Sequence, residues 1–254
     1  MPNYILKTVQ ADGSAYGDFV WPLEVGAQVV APDFNTDASC GGGLHGLLNG
    51  CGNGALLNWG DGAVWIVAKV PKKAQMVDLG DKVKVDRCKI VHVGNRETAT
   101  TFLVDHGCSG PIVGVTAIAG KWGTATAGDG GTATAGKWGT AIAGYGGTAT
   151  AGNSGTATAG SHGTAAAGDW GTATAGDGGT ATAGHRGTAT AGDWGIATAG
   201  DWGTATAGNS GAIILTWWDD ENGRKRTTIG YVGEDGIKAN VAYRLDENGK
   251  LVKV

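Results

Sequence analysis

From Val115 to Ser210 the chain alternates polar and small apolar positions with period two inside a unit of eight, Gly-Thr-Ala-Thr-Ala-Gly-x-x, which recurs twelve times. Alternation at every second residue sends successive side chains to opposite faces of a strand. Threonine favours strands, and the glycines bounding each run favour turns. A fixed period over this length predicts a solenoid, in which stacked copies hydrogen-bond to one another because no single copy could hold itself together.

The variable pairs set the size of the coil. Trp122, Trp138, Trp170 and Trp202 are separated by multiples of sixteen, and Trp194 alone departs from that spacing. The octad is therefore half of a sixteen-residue coil with two strands and two corners. Six such coils stack to about 28 Å at the usual interstrand spacing. Both alanine positions are alanine in all twelve octads, whereas threonine gives way to Ile118, Ile142, Ala166 and Ile196. A thin coil has room for little more than a methyl group between its sheets, so alanine is expected inside and threonine outside. The reverse arrangement fits the same alternation, since threonine and isoleucine are both β-branched.

Outside the repeat the pattern is irregular. Residues 1–110 read as an α+β domain. Strands are expected at Tyr4 to Val9, Ala15 to Trp21 and Ala63 to Val70, with one or two more between Lys82 and Val93. Asn95 is placed to cap a helix running through Ala99, Phe102 and Leu103 to about His106. Cys40-Gly-Gly-Gly-Leu44-His45 through Cys51 reads as a glycine-rich loop entering a short helix. Behind the repeat, Gly211 to Trp218 is a degenerate octad whose larger apolar residues would plug the core. Strands at Arg224 to Val232, Ile237 to Leu245 and Leu251 to Val254 would then form a β-meander cap over 211–254. The fold class expected is mainly β: a two-strand-per-coil β-solenoid over 115–210, between the α+β domain and the cap.

Thr124-Ala125-Thr126 and its copies, with Ala-Gly corners, resemble the sixteen-residue coils of bacterial ice-nucleation proteins. Less closely, the repeat resembles the β-roll heads of trimeric autotransporter adhesins. Both resemblances cover the repeat alone, and the first implies a Thr-x-Thr surface that orders water or meets ice. The element Cys40-Gly-Gly-Gly-Leu44-His45 resembles one in uncharacterised phage and prophage proteins, which carries no assigned chemistry.

Charge and composition narrow the partners. A formal net charge of −4, from 19 basic and 23 acidic residues, argues against nucleic acid or an anionic membrane as partner. Arg224-Lys225-Arg226 is the densest basic cluster and reads as a solvated hairpin strand. Met1 to Gln10 has no apolar stretch of signal-peptide length, no apolar run reaches spanning length, and four cysteines do not make a disulfide scaffold. A cytoplasmic protein with reduced thiols and no cofactor is expected.

Three functions follow. The first is a non-enzymatic binding or assembly scaffold that self-associates, with Trp122, Trp138, Trp170, Trp202, Trp217 and Trp218 as contact residues. The second is recognition of ice or ordered water. In the first the repeat is a spacer or a lateral-association surface, and the N-terminal domain does the recognising. The ligand surface of the second is a threonine lattice, expected on the even-numbered octads because only Ile142 interrupts it there: Thr124, Thr126, Thr140, Thr156, Thr158, Thr172, Thr174, Thr188, Thr190, Thr204 and Thr206. The third is an enzymatic N-terminal domain, for which Cys40 with His45, and Asp86 with His92, are the local pairs. Cys40, His45 and Cys51, with Cys88, His92, His106 or Cys108, are weak metal candidates. Their spacing matches no standard zinc motif, and no bound metal is expected.

Overall fold

The computed structural model describes residues 3–15 and 19–254. Its contacts divide the chain into Met1–Val115 and Thr116–Val254.

The first unit is an antiparallel sheet with one helix. Its strands are β1 (Asn3–Val9), β2 (Gln28–Val30), β3 (Leu44–Leu48), β4 (Val64–Val70), β5 (Met76–Asp78), β6 (Val83–Val85) and β7 (Arg87–Gly94), in the spatial order β2-β7-β4-β1-β3-β6-β5. Ile5, Val9, Trp21, Leu44, Ile66, Val85 and Ile90 belong to the apolar core of this sheet. The helix α1 (Arg96–Asp105) begins as the sequence predicts: Thr98 N–H donates to Asn95 Oδ1 at 3.0 Å, while Asn95 N–H donates back to Thr98 Oγ1 at 3.2 Å. Ala99 and Leu103 are its buried residues beside Thr100, and it packs on β4 and β7.

Two expectations for this unit are corrected. The glycine-rich segment enters a strand and not a helix. Leu47 pairs with Leu6 and Leu48 with Ile5, and a side chain at Gly46 would meet Ile5 Cβ and Leu6 O at 2.9 Å. Gly46 thus lets β3 lie against β1. Asn49 and Gly50, both at positive φ (52° and 79°), then reverse the chain, with Cys51 N–H donating to Leu48 O. That is a two-residue Asn-Gly turn with both central residues left-handed, and Cys51 beyond it bridges to Ile112 instead of pairing back on β3. The strand expected at Ala15 to Trp21 is reduced to one bridge, Ser14 with Val20, and its central part, 16–18, lies outside the described residues.

The second unit is the β-solenoid. Odd octads form one parallel sheet and even octads another, each extended to eight strands by the tail. Pairing is in register at one coil: Thr132 faces Thr148 and Ala133 faces Ala149 in one sheet, as Thr156 faces Thr172 and Ala157 faces Ala173 in the other. Alanine is inside. From Ala133 to Ala207 no strand alanine at an inward position is more than 9% exposed. Burying each methyl contributes less than about 1 kcal/mol, so the core gains its strength only by summing over coils.

The tail ends both sheets rather than forming one meander. Ala212–Asp219 adds in parallel to Ile196–Ala199, setting Ile213 beside Ala197 and Leu215 beside Ala199. It then turns into the antiparallel Arg224–Tyr231 strand. Tyr243–Leu245 and Leu251–Lys253 close the other sheet, also antiparallel. Only Tyr243–Leu245 of the strand expected at Ile237 to Leu245 forms. Ile213, Leu215, Ile237 and Tyr243 are buried and fill the open end of the alanine core. The turn after Asp219 is tied by its carboxylate, 6% exposed, which accepts from Arg226 Nε, from Asn222 N–H at 3.1 Å and from Asn222 Nδ2 at 2.8 Å.

Ala149→Leu is expected to overpack the coil and lower stability by about 1–3 kcal/mol. Thr150→Leu, on the outer face, should stay within about 0.5 kcal/mol, with thermal unfolding as the check for both.

The Asp219 carboxyl is pulled down to about 2, chiefly by its hydrogen bond from Arg226. A folded value below the unfolded one of about 3.9 means its contribution is complete above about pH 4 and is lost as pH falls through 2. Tryptophan fluorescence from Trp217 and Trp218 should report this loosening between about pH 4 and 2, and Asp219→Asn should remove that acid dependence.

Candidate functional site

Two regions carry chemistry. The first is the outer face of the solenoid. In the even sheet one column, Thr124, Thr140, Thr156, Thr172, Thr188 and Thr204, is unbroken, and its neighbour is interrupted only by Ile142. In the odd sheet Ile118 and Ala166 break one column and Ile196 the other. Every lattice threonine is exposed or half-buried. Among the described residues, no lattice hydroxyl appears in a side-chain hydrogen bond within the chain, in contrast to Thr98, Thr100 and Thr228. The strands pack through methyl groups and backbone alone, which leaves the hydroxyls to face outward.

The corners hold this array at constant pitch. In each, the second glycine bonds back to the first, as Gly123 N–H does to Gly120 O at 3.0 Å. The residue between them that precedes the second glycine sits at positive φ: Trp122 at 64°, Ser154 at 56°, His162 at 57°, Arg186 at 53°. A negative φ followed by a positive one is the type II turn, which ordinarily wants glycine at its third position. Non-glycine residues are held there by the neighbouring coil, as when Ser154 N–H donates to Asp169 O at 2.7 Å. The flanking glycines are required for another reason. A methyl on Gly168 would fall 2.7 Å from Asn153 N, and one on Gly171 would fall 2.8 Å from Gly168 O.

Sequence reasoning missed a second ladder at the corners. The Oδ1 atoms of Asp129, Asp169, Asp177 and Asp193 each accept from the backbone N–H sixteen residues on, at Tyr145, His185, Asp193 and Asn209, over 2.7–2.9 Å. The recurrence of Asp or Asn at the first corner position was the available signal.

The tryptophans do not form one continuous stripe. Trp122 stacks on Trp138 with centroids 4.6 Å apart, and the Lys121 and Lys137 ammonium groups lie over the Trp138 ring at 4.8 and 4.1 Å. Arg186 covers Trp170 at 4.7 Å, while Trp202 stands 82% exposed. Trp217 is half-buried against Gly249, and Trp218 is exposed.

The second region is a cleft of about 980 Å³ in the first unit, lined by the Cys40–Gly43 loop, Lys7, His45 and Lys82 with Phe19, Trp21, Leu56 and Leu57. Lys84, 0% exposed, fixes the loop by donating to Asn35 Oδ1 at 2.7 Å, Gly41 O at 3.1 Å and Ser39 O at 3.2 Å. Cys40 lies beside Lys82, with Sγ to Nζ at 3.1 Å. That hydrogen bond lowers the Cys40 thiol from its ordinary value, whereas burial raises Cys51 and Cys108 and pushes Cys88 to about 12. A shared cleft is thus all that joins Cys40 and His45. Asp86 and His92 are not joined either: Asp86 takes Arg87, and His92 Nε2 meets Thr98 Oγ1 at 3.0 Å.

Of the metal candidates, Cys40 faces Lys82 while Cys51 turns to Asn49 O and Ser109 O, each at 3.9 Å. Among the described residues no three His, Cys, Asp or Glu side chains come together as a metal site. Protein-family models, curated proteins and solved structures give no match to this chain.

Ser154→Gly relieves a left-handed side chain and is expected to raise stability by up to about 1 kcal/mol. Asp169→Ala removes the bond to His185 N–H and should lower it by about 1 kcal/mol. Chemical denaturation of the two variants checks both signs.

Proposed function

We propose that this protein is a non-catalytic scaffold whose working surface is the threonine lattice of the even sheet, and that copies associate through the solenoid. The observation that carries this reading is the free hydroxyl array: in-register threonines, outward on a rigid frame, with their hydroxyls unengaged within the chain. Neighbouring hydroxyls repeat about every 4.8 Å across coils and about every 7 Å along a strand. Many weak, identically spaced contacts sum only against a partner of matching period, such as an ordered surface or a second copy of the same array. The exposed rings of Trp122, Trp170 and Trp202 supply apolar contact along one corner, and two-fold pairing is the commonest way to bury such a surface. A homodimer follows from this reading, placed in the cytoplasm.

Ice or ordered water is the second reading, favoured by the unbroken column from Thr124 to Thr204 and by the resemblance of Thr-x-Thr to ice-nucleating coils. The two differ in outcome. Sedimentation at micromolar concentration should give a dimer or larger species if the scaffold reading holds, and a monomer would remove it. For the second reading, Thr156→Leu with Thr172→Leu should abolish inhibition of ice recrystallisation. Thr148→Leu with Thr180→Leu, on the odd sheet, should leave it intact. Inactivity of the unaltered protein would end the ice reading and leave assembly standing.

A further inference from the structure

We propose that the cleft beneath the Cys40–Gly43 loop binds a small phosphate ester, with Lys7 and His45 as its anion-holding groups and Phe19 and Trp21 against its apolar body. This site is separate from the solenoid surface and does not depend on its function.

The cleft gathers positive charge and leaves it unanswered. Lys7 and Lys82 line the cleft, and buried Lys84 lies close enough to act on His45, in a chain whose net charge is −4. Lys84 is spent on three neutral oxygens, and Lys82 faces the Cys40 sulfur. The Lys7 ammonium appears in no hydrogen bond or ion pair among the described residues, although the side chain is half-buried. Burial first, and then the Lys82 charge, lower its pKa. His45 Nε2 is buried without a partner. Burial lowers the imidazole as well, followed by Lys82, Lys7 and Lys84. Among the described residues the one carboxylate in the lining, Asp33, accepts from Gly43 N–H at 3.0 Å. A buried imidazole nitrogen without a partner and a desolvated ammonium lining the same cleft are each unfavourable unless a polar ligand of negative charge joins them. Lysine is an established point-charge partner of phosphate. The apolar part of the pocket has its own order: Phe19 meets Trp21 edge-on at 5.8 Å, with Leu56 and Leu57 also lining the cleft. A few convergent polar groups in a mainly apolar cleft make a small-molecule site.

Cys40 serves as the reporter. It is exposed and beside Lys82, so an anion settling in the cleft withdraws positive charge from its thiolate and shields it. The experiment follows Cys40 alkylation by iodoacetamide in the whole protein, read by peptide mass spectrometry, against phenyl phosphate concentration, with Cys108 as internal control. Saturable protection of Cys40 with a Kd of about 1 mM or tighter is expected. Phenol should give none. Lys7→Met should weaken protection by about tenfold or more and Lys7→Arg should retain it, with unchanged circular dichroism showing that both fold. Absence of saturable protection, equal protection by phenol, or full protection in Lys7→Met would each overturn the proposal.

Discussion

The gap between the two sheets of the solenoid is one methyl group deep on each side, and the rest of the second unit follows from that width. Leucine or valine inside would force the sheets apart, so alanine is the only side chain that fills the space without strain. Such a core is weak per coil. Stability has to come from repetition, and repetition requires that every coil superimpose on the next. The glycine corners satisfy that demand sterically, because even one added methyl would strike the backbone of the neighbouring coil. The aspartate ladder satisfies it electrostatically, with each carboxylate oxygen fixed on the coil above. What remains free is the outside: threonines that no part of the chain engages, and corner side chains carried at positive φ.

The first unit solves a different problem. Its sheet is irregular and its largest fully buried side chain is a lysine, Lys84. An ammonium sealed from water with only neutral oxygens around it is tolerable when those oxygens are well placed. The three that hold it come from the loop running from Asn35 to Gly41. The loop is therefore arranged around a charge, and the cleft beside it inherits a positive potential.

The solenoid was legible because its signal is repeated. Period, coil length, alanine inside and the plugged end all follow from comparing twelve copies of one octad. Helix α1 was legible from its cap, since Asn95 and Thr98 sit three residues apart at its start. The glycine-rich segment misled, because Leu44, Leu47 and Leu48 fit a helical spacing as well as a strand one. The decisive fact, that Gly46 lies against Ile5, is a contact between residues distant in sequence. Asn49-Gly50 is the turn signal that the sequence carries there. The cleft was hidden for the same reason as Gly46. Lys7, His45 and Lys82 come from three parts of the chain with no shared motif, and only the pairing of β3 with β1 and β6 brings them together.

In-register pairing at sixteen residues also bears on how this chain can change. A coil excised from the middle of the solenoid would leave flanking coils that match each other as well as they matched the missing one. A coil duplicated in place would find the same neighbours on both sides. Length is thus the one dimension of the molecule that nothing in its interior fixes. The plugged end formed by Ile213, Leu215 and Tyr243 closes a stack of any height. Tandem gain or loss of DNA segments encoding sixteen residues could tune the area of the threonine surface in whole steps, without altering the strand register or the alanine core.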